Sequence, residues 1–172
     1  MNRGAFSLIE LMIVVMIMGV VYTLSINGLQ RSSRGAANVT LSNLKEYMRS
    51  LEYKKSVKIL CLDECKRCDI LVDGAKHESM ENFLDKSVKT YRYDFLQGVQ
   101  EVAYEPFFNK DDKEEKVCFS YAIDKSGVGE QVLVEYKNRV YDFSPFFAPT
   151  SSYASMQDAI NAKEKLIQEV QK

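Results

Sequence analysis

One histidine, His77, is all that the 172-residue chain contains. A catalytic triad would have to be built around His77 itself, and no nucleophile motif of the G-x-S-x-G kind accompanies it. His77 is read as a residue of an exposed polar loop. Paired carboxylates with a recognisable pocket are also lacking, so the chain is not expected to be an enzyme and no cofactor is expected. Net charge is -1, which leaves no global basic field of the kind that draws nucleic acid. Internal repeats and low-complexity tracts are absent. The acids Asp111, Asp112, Glu114 and Glu115 gather in one stretch, but lysines dilute them and EF-hand spacing is missing. That stretch reads as a solvated loop, not a calcium site, and no metal is expected.

What the chain does have is a long apolar run at its start. From Phe6 to Ile26 the one charge is Glu10, and Leu11 to Val21 is apolar throughout apart from Gly19. A helix rises about 1.5 Å per residue, so about 20 residues span the roughly 30 Å hydrocarbon core of a bilayer. An acid inside such a run is costly and marks a function with a partner to be named. No A-x-A-like cleavage site follows the run, where Tyr22-Thr23-Leu24-Ser25 stands instead, so an ordinary secretory signal is not the reading. Charge does not orient the span: Arg3 and the initiating amine flank one side, Arg31 and Arg34 the other.

The order Arg3-Gly4-Ala5-Phe6-Ser7-Leu8-Ile9-Glu10-Leu11 resembles the type IV pilin and type II secretion pseudopilin family. The resemblance covers about the first 30 residues. It implies a leader cut on the cytoplasmic side by a prepilin peptidase, with methylation of the new N-terminus. It also implies packing of the apolar helix inside a filament, where Glu10 pairs with the terminal amine of a neighbouring subunit. Two opposite charges in a dry environment attract strongly, and each is costly alone. The chain departs from the family in two places. Glycine chemistry points to a cut after Gly4, making Ala5 the first residue. The family's glutamate spacing points to a cut after Ala5, making Phe6 first and the site of N-methylation. Register favours the second bond. The proline that many pilins carry around positions 22 to 28 is missing here.

The resemblance gives the chain an organisation: leader 1–5, transmembrane helix 6–28, a periplasmic half of the N-terminal helix at 29–54, and a globular domain at 55–172. The location it implies is the bacterial inner membrane, single-pass, with the C-terminal domain periplasmic. Implied partners are the prepilin peptidase, other pilin or pseudopilin subunits and an inner-membrane assembly platform. The fold expected is α+β and pilin-like, a long N-terminal helix packed on an antiparallel sheet with a C-terminal helix.

Beyond the resemblance, periodicity carries the reading. Ala37, Leu41, Leu44, Tyr47, Met48 and Leu51 recur in steps of three and four and make one apolar helical face, to be packed on a sheet. Ser32 to Gly35 is a weak patch, because Gly35 costs about 1 kcal/mol relative to alanine. Strands are predicted at Ser56–Leu62, Cys68–Val72, Lys89–Phe95, Val99–Tyr104, Lys116–Asp124, Gln131–Tyr136 and Arg139–Phe143, with turns at Asp73-Gly74, Gln97-Gly98, Ser126–Gly129 and Lys137-Asn138. Together they make an antiparallel sheet of about four to seven strands. Ser79 to Leu84 reads as a short helix, and Pro145 to Ser152 as a loop. A last helix carries Met156, Ala159, Ile160, Lys163, Leu166, Ile167 and Val170 on one stripe, with Ser155-x-x-Asp158 as its capping box.

Four cysteines remain. The spacing Cys61-x3-Cys65-x2-Cys68 matches that of an iron–sulfur cluster in radical S-adenosylmethionine enzymes, but the roughly 145 residues after the span lack the repeating βα pattern of their barrel. A zinc site of Cys61, Cys65, Cys68 and Cys118 is chemically possible. The reading adopted is two disulfides in an oxidising compartment. Four cysteines allow three connectivities; a hairpin around residues 63–67 favours Cys61–Cys68, with Cys65–Cys118 tying the loop to a later strand.

The function expected is that of a pseudopilin or minor pilin, which assembles into or primes a short filament for type II-like secretion or a type IV pilus or competence system. The alternative is a membrane-anchored binding module. One such module is a DNA-capturing minor pilin with a local patch of Lys54, Lys55, Lys58, Lys66 and Arg67.

Overall fold

The computed structural model describes residues 8–33, 39–109, 112–146 and 148–170, with the side chains of 21–33 and 170 left undescribed. The chain divides into two compact units, Met1–Asn38 and Val39–Lys172. The first contains helix α1, Leu8–Ser33. Its described side chains, Leu8 to Val20, are exposed all round the helix. Leu8 is 78% exposed and Met16 75%.

The second unit opens with a turn at residues 41–43, not with the continuous helix predicted over 29–54. Helix resumes as α2, Leu44–Ser50, and ends where Leu51 turns extended at ψ 144°. The predicted face therefore survives in part: Leu41, Leu44 and Met48 are buried. The interruption has a local cause. The Asn43 carboxamide oxygen accepts from the Thr40 backbone N–H at 2.7 Å, closing a turn that competes with helix. Ala37 and the weak patch from Arg34 on lie outside the described residues.

All strand pairs are antiparallel, but they form two main sheets and a ribbon instead of one sheet. Strands β1 (Ser56–Leu62), β2 (Arg67–Val72), β3 (Ala75–Glu81) and β8 (Val117–Asp124) make the first, in the order β3-β2-β1-β8. Strands β4 (Lys89–Asp94), β5 (Gly98–Glu101), β9 (Leu133–Tyr136), β10 (Arg139–Asp142) and β11 (Ser151–Tyr153) make the second, in the order β11-β10-β9-β4-β5. The ribbon is β6 (Phe107–Phe108) with β7 (Glu114–Glu115), and β7 lies inside the stretch read as a solvated loop.

Further segments differ from their predicted state, among them Val102 to Tyr104, which lie past the end of β5 at Glu101. Ser79 to Glu81 is strand, not helix, because β3 pairs with β2 from Ala75 to Glu81. The pairing supplies backbone partners that a single turn of polar helix lacks. Ser151 and Ser152, assigned to a loop, pair with Asp142 and Tyr141 at the edge of the second sheet.

Register explains the core. Val57, Ile59 and Cys61 of β1 face Ile123, Tyr121 and Phe119 of β8, and Ile59 and Cys61 also face Ile70 and Cys68 of β2. Side chains on one face of a sheet share a period of two, and all eight are fully buried. Helix α2 covers this face; its Tyr47 hydroxyl donates to the Glu78 carboxylate on β3. On the second sheet, Leu133 and Val140 pack with Ala159 of helix α3, Met156–Val170. Tyr91, Tyr93, Tyr153 and Met156 close around them.

Candidate functional site: the N-terminal helix and the cysteine cluster

Helix α1 has an acid, Glu10, in its first turn and then no charge as far as Arg31. Its described side chains, Leu8 to Val20, leave no polar face once Glu10 is passed. A helix apolar on every side cannot sit in water alone; it belongs in a membrane or among other apolar helices. The thirteen residues whose side chains are described rise about 20 Å, short of a bilayer core, within a helix whose backbone runs on to Ser33. Among the described residues no helix is long and apolar enough to cross a membrane. The apolar run of the sequence, Phe6 to Ile26, extends past both ends of that stretch. Arg3, Gly4, Ala5 and Phe6, the residues of the predicted cleavage and methylation, lie outside the described residues.

The structure joins Cys61 to Cys68 and Cys65 to Cys118. The first bridge follows from register, since Cys61 and Cys68 are direct partners in the β1–β2 ladder. The second pulls the hairpin tip onto β8. Cystine sulfur carries no thiolate charge, and metal binding needs the thiolate. Among the described residues no group of three His, Cys, Asp or Glu is arranged to hold a metal. Of the acids in the 111–115 stretch, Asp111 lies outside the described residues, while Glu115 is occupied by Arg67 at 2.9 Å and by the Asn109 carboxamide at 2.9 Å.

His77 sits on β3 and not in a loop, and its side chain is exposed. The five cations of the predicted basic patch do not gather. Lys54 and Lys55 precede β1, whereas Lys66 and Arg67 lie at its far end beyond Leu62. Arg67 is committed to Asp69 and Glu115.

Three buried charges among the described residues escaped the sequence reading: Lys45, Asp142 and Asp69, the last held by Arg67 and Lys76. Lys45 is 1% exposed and donates to the Pro145 carbonyl at 2.7 Å. Burial pulls its ammonium below the ordinary lysine value and Arg49 adds to this, against Glu46 and Asp142. With Arg49, which donates to the Phe146 and Gly127 carbonyls, it fastens α2 to the loop after β10 and to the turn between β8 and β9. Asp142, 3% exposed, holds Lys163 of α3 at 2.8 Å. The signal for Lys45 was its place among Leu41, Leu44 and Met48, on the buried stripe.

Residues 1–24 match the family model for the prokaryotic N-terminal methylation motif. This is the prepilin-type cleavage and methylation signal of type IV pilins and pseudopilins, which are structural subunits and not an enzyme family. It supports a type IV pilin-like or pseudopilin protein. It implies processing by a prepilin peptidase, assembly with other pilin subunits and a membrane-anchored N-terminus. No curated protein and no solved structure matches the chain.

Proposed function

We propose that the chain is a pseudopilin or minor pilin, anchored in the inner membrane by residues 6–28, with the unit from Val39 onward in the periplasm. The observation that carries this reading is the methylation motif at residues 1–24 running into a helix apolar on every described side. Residues 1–5 are the leader, with Arg3 and Gly4 before the cut and Phe6 as the new, methylated first residue. The assembly residue is Glu10. Its carboxylate takes the terminal amine of a neighbouring subunit, because neither charge is tolerable alone in an apolar bundle. That pairing sets register between subunits while the apolar faces supply adhesion. The work of the protein is mechanical: it enters or primes a short filament of a secretion, pilus or competence machine.

The test is intact mass of the protein taken from cells with and without prepilin peptidase. The expected result is loss of residues 1–5 plus gain of one methyl group, in peptidase-positive cells alone. Loss of residues 1–4 plus a methyl keeps the class and moves the cut to Gly4/Ala5. An unshortened chain in both strains overturns the reading.

A further inference from the structure

The two disulfides stand in different settings. Cys61–Cys68 spans a direct cross-strand pair, Cα atoms 3.9 Å apart, with both residues fully buried. Cys65–Cys118 joins the β1–β2 tip to the start of β8. Cys118 sits where the β1–β8 register slips between Cys61 and Leu62, and it is partly exposed.

The tip itself is backbone that non-glycine residues avoid. Asp63, Glu64 and Cys65 lie consecutively in the left-handed region, at φ 52°, 53° and 67°. Such conformations persist where the surroundings over-determine them. The surroundings here include the bridge: Cys65 is fully buried although Glu64 and Lys66 on either side are exposed.

We propose that Cys65–Cys118 is a redox latch on this tip, opened by a dithiol reductant while Cys61–Cys68 stays closed. Access favours it, since Cys118 is partly exposed while Cys61, Cys65 and Cys68 are fully buried, and exchange depends on access to a sulfur. Release of the left-handed turn favours it as well. The reduced state also has an acceptor in place: Cys118 Sγ lies 3.3 Å from the Cys61 carbonyl oxygen. A cystine sulfur has no proton to give that oxygen, and a thiol does.

The chemistry balances within the pair. A thiolate of the reductant attacks Cys118 Sγ, the S–S bond breaks, and Cys65 leaves as a thiolate that takes up a proton. The second thiol of the reductant then attacks the mixed disulfide and releases Cys118 as a thiol. The reductant ends as a disulfide, having given up two electrons and two protons. What the latch controls is the polar cleft of about 470 Å³ between Asp63, Glu64 and Arg67 on the tip and Lys113–Lys116 opposite.

The experiment is graded reduction of the full-length protein in detergent with dithiothreitol, trapped by alkylation and read by peptide mass. Cys65 and Cys118 are expected to label about tenfold faster than Cys61 and Cys68. Simultaneous labelling of all four, or Cys61 and Cys68 first, overturns the proposal. A Glu64→Gly variant removes one left-handed penalty and leaves every cysteine in place. It is expected to shift the exchange equilibrium with dithiothreitol about fivefold toward the Cys65–Cys118 disulfide. An unchanged equilibrium counts against the latch, because the turn then does not feed on the bridge.

Discussion

At the scale of single residues, Gly129 and Tyr121 form a contact with no slack. A Cβ at Gly129 would run into the Tyr121 hydroxyl and ring. Tyr121 cannot withdraw: it is fully buried against Phe143, ring centroids 4.8 Å apart. Gly129→Ala is therefore expected to destabilise the domain by about 1–3 kcal/mol, the usual range for overpacking. The Tyr121 hydroxyl is buried without a hydrogen-bond partner among the described residues. Removing it costs little and takes away the nearer of the two overlaps, leaving the ring carbon 2.7 Å from the added Cβ, so Tyr121→Phe should recover part of the loss. Thermal unfolding of the two single variants and the double variant in detergent checks this; strict additivity would show that the clash lies elsewhere.

At the scale of elements, helix α3 is held at its start and on its face. The Ser155 hydroxyl oxygen accepts from the Asp158 backbone N–H at 3.2 Å, and the hydroxyl donates to the Asp158 carboxylate at 2.7 Å. Ala159 seals the sheet beneath, and Lys163 reaches Asp142 and the Ser144 hydroxyl. Ser155→Ala should cost about 0.5–2 kcal/mol, the range for losing a cap, and Ser155→Thr should restore most of it. The readout is the unfolding midpoint in urea, with an unchanged midpoint for the alanine variant as the failing result. The cap of α3 and the start of its stripe, Met156, Ala159 and Lys163, were legible because both are local patterns, whereas Leu166, placed on the same stripe, is 59% exposed. The edge strand β11 just before it was not legible, since three residues paired to β10 leave no periodic signature.

At the scale of the whole molecule, exposed carboxylates tie turns together and set the acid limit. Asp73 accepts from the backbone N–H groups of Lys54, Lys55 and Ser56, at 3.0, 2.6 and 3.1 Å. Hydrogen bonds from Lys54 and Lys55 hold it below the ordinary aspartate value. Asp124 is lowered by Ser126, and Asp85 by Ser87, in the same manner. Their folded values lie below the unfolded ones, so the stability they contribute is present above the unfolded value and is lost as pH falls through the folded one. The unfolding temperature should therefore drop as pH goes below about 4. Asp73→Asn should be less stable at neutral pH and lose part of that acid-induced drop. A parallel pH profile for the variant would show that the Asp73 turn does not contribute.

The sequence by itself determined what is local and periodic. The methylation motif, the apolar run, the alternation of β8, the turns at Asp73-Gly74 and Lys137-Asn138 and the capped start of the last helix are each written in neighbouring residues. Long-range decisions belonged to the tertiary structure. The division of strands into two sheets depends on which edges meet, and the same alternation fits either arrangement. At residues 41–43 the predicted helix is replaced by the Asn43 turn because one side chain offers the backbone a competing partner. Burial of Lys45 was decided by the Pro145 carbonyl, 100 residues away. Three pairings of four cysteines are open to the sequence, and the predicted hairpin only favours one; the β1–β2 register sets Cys61 opposite Cys68 and leaves Cys65 to Cys118.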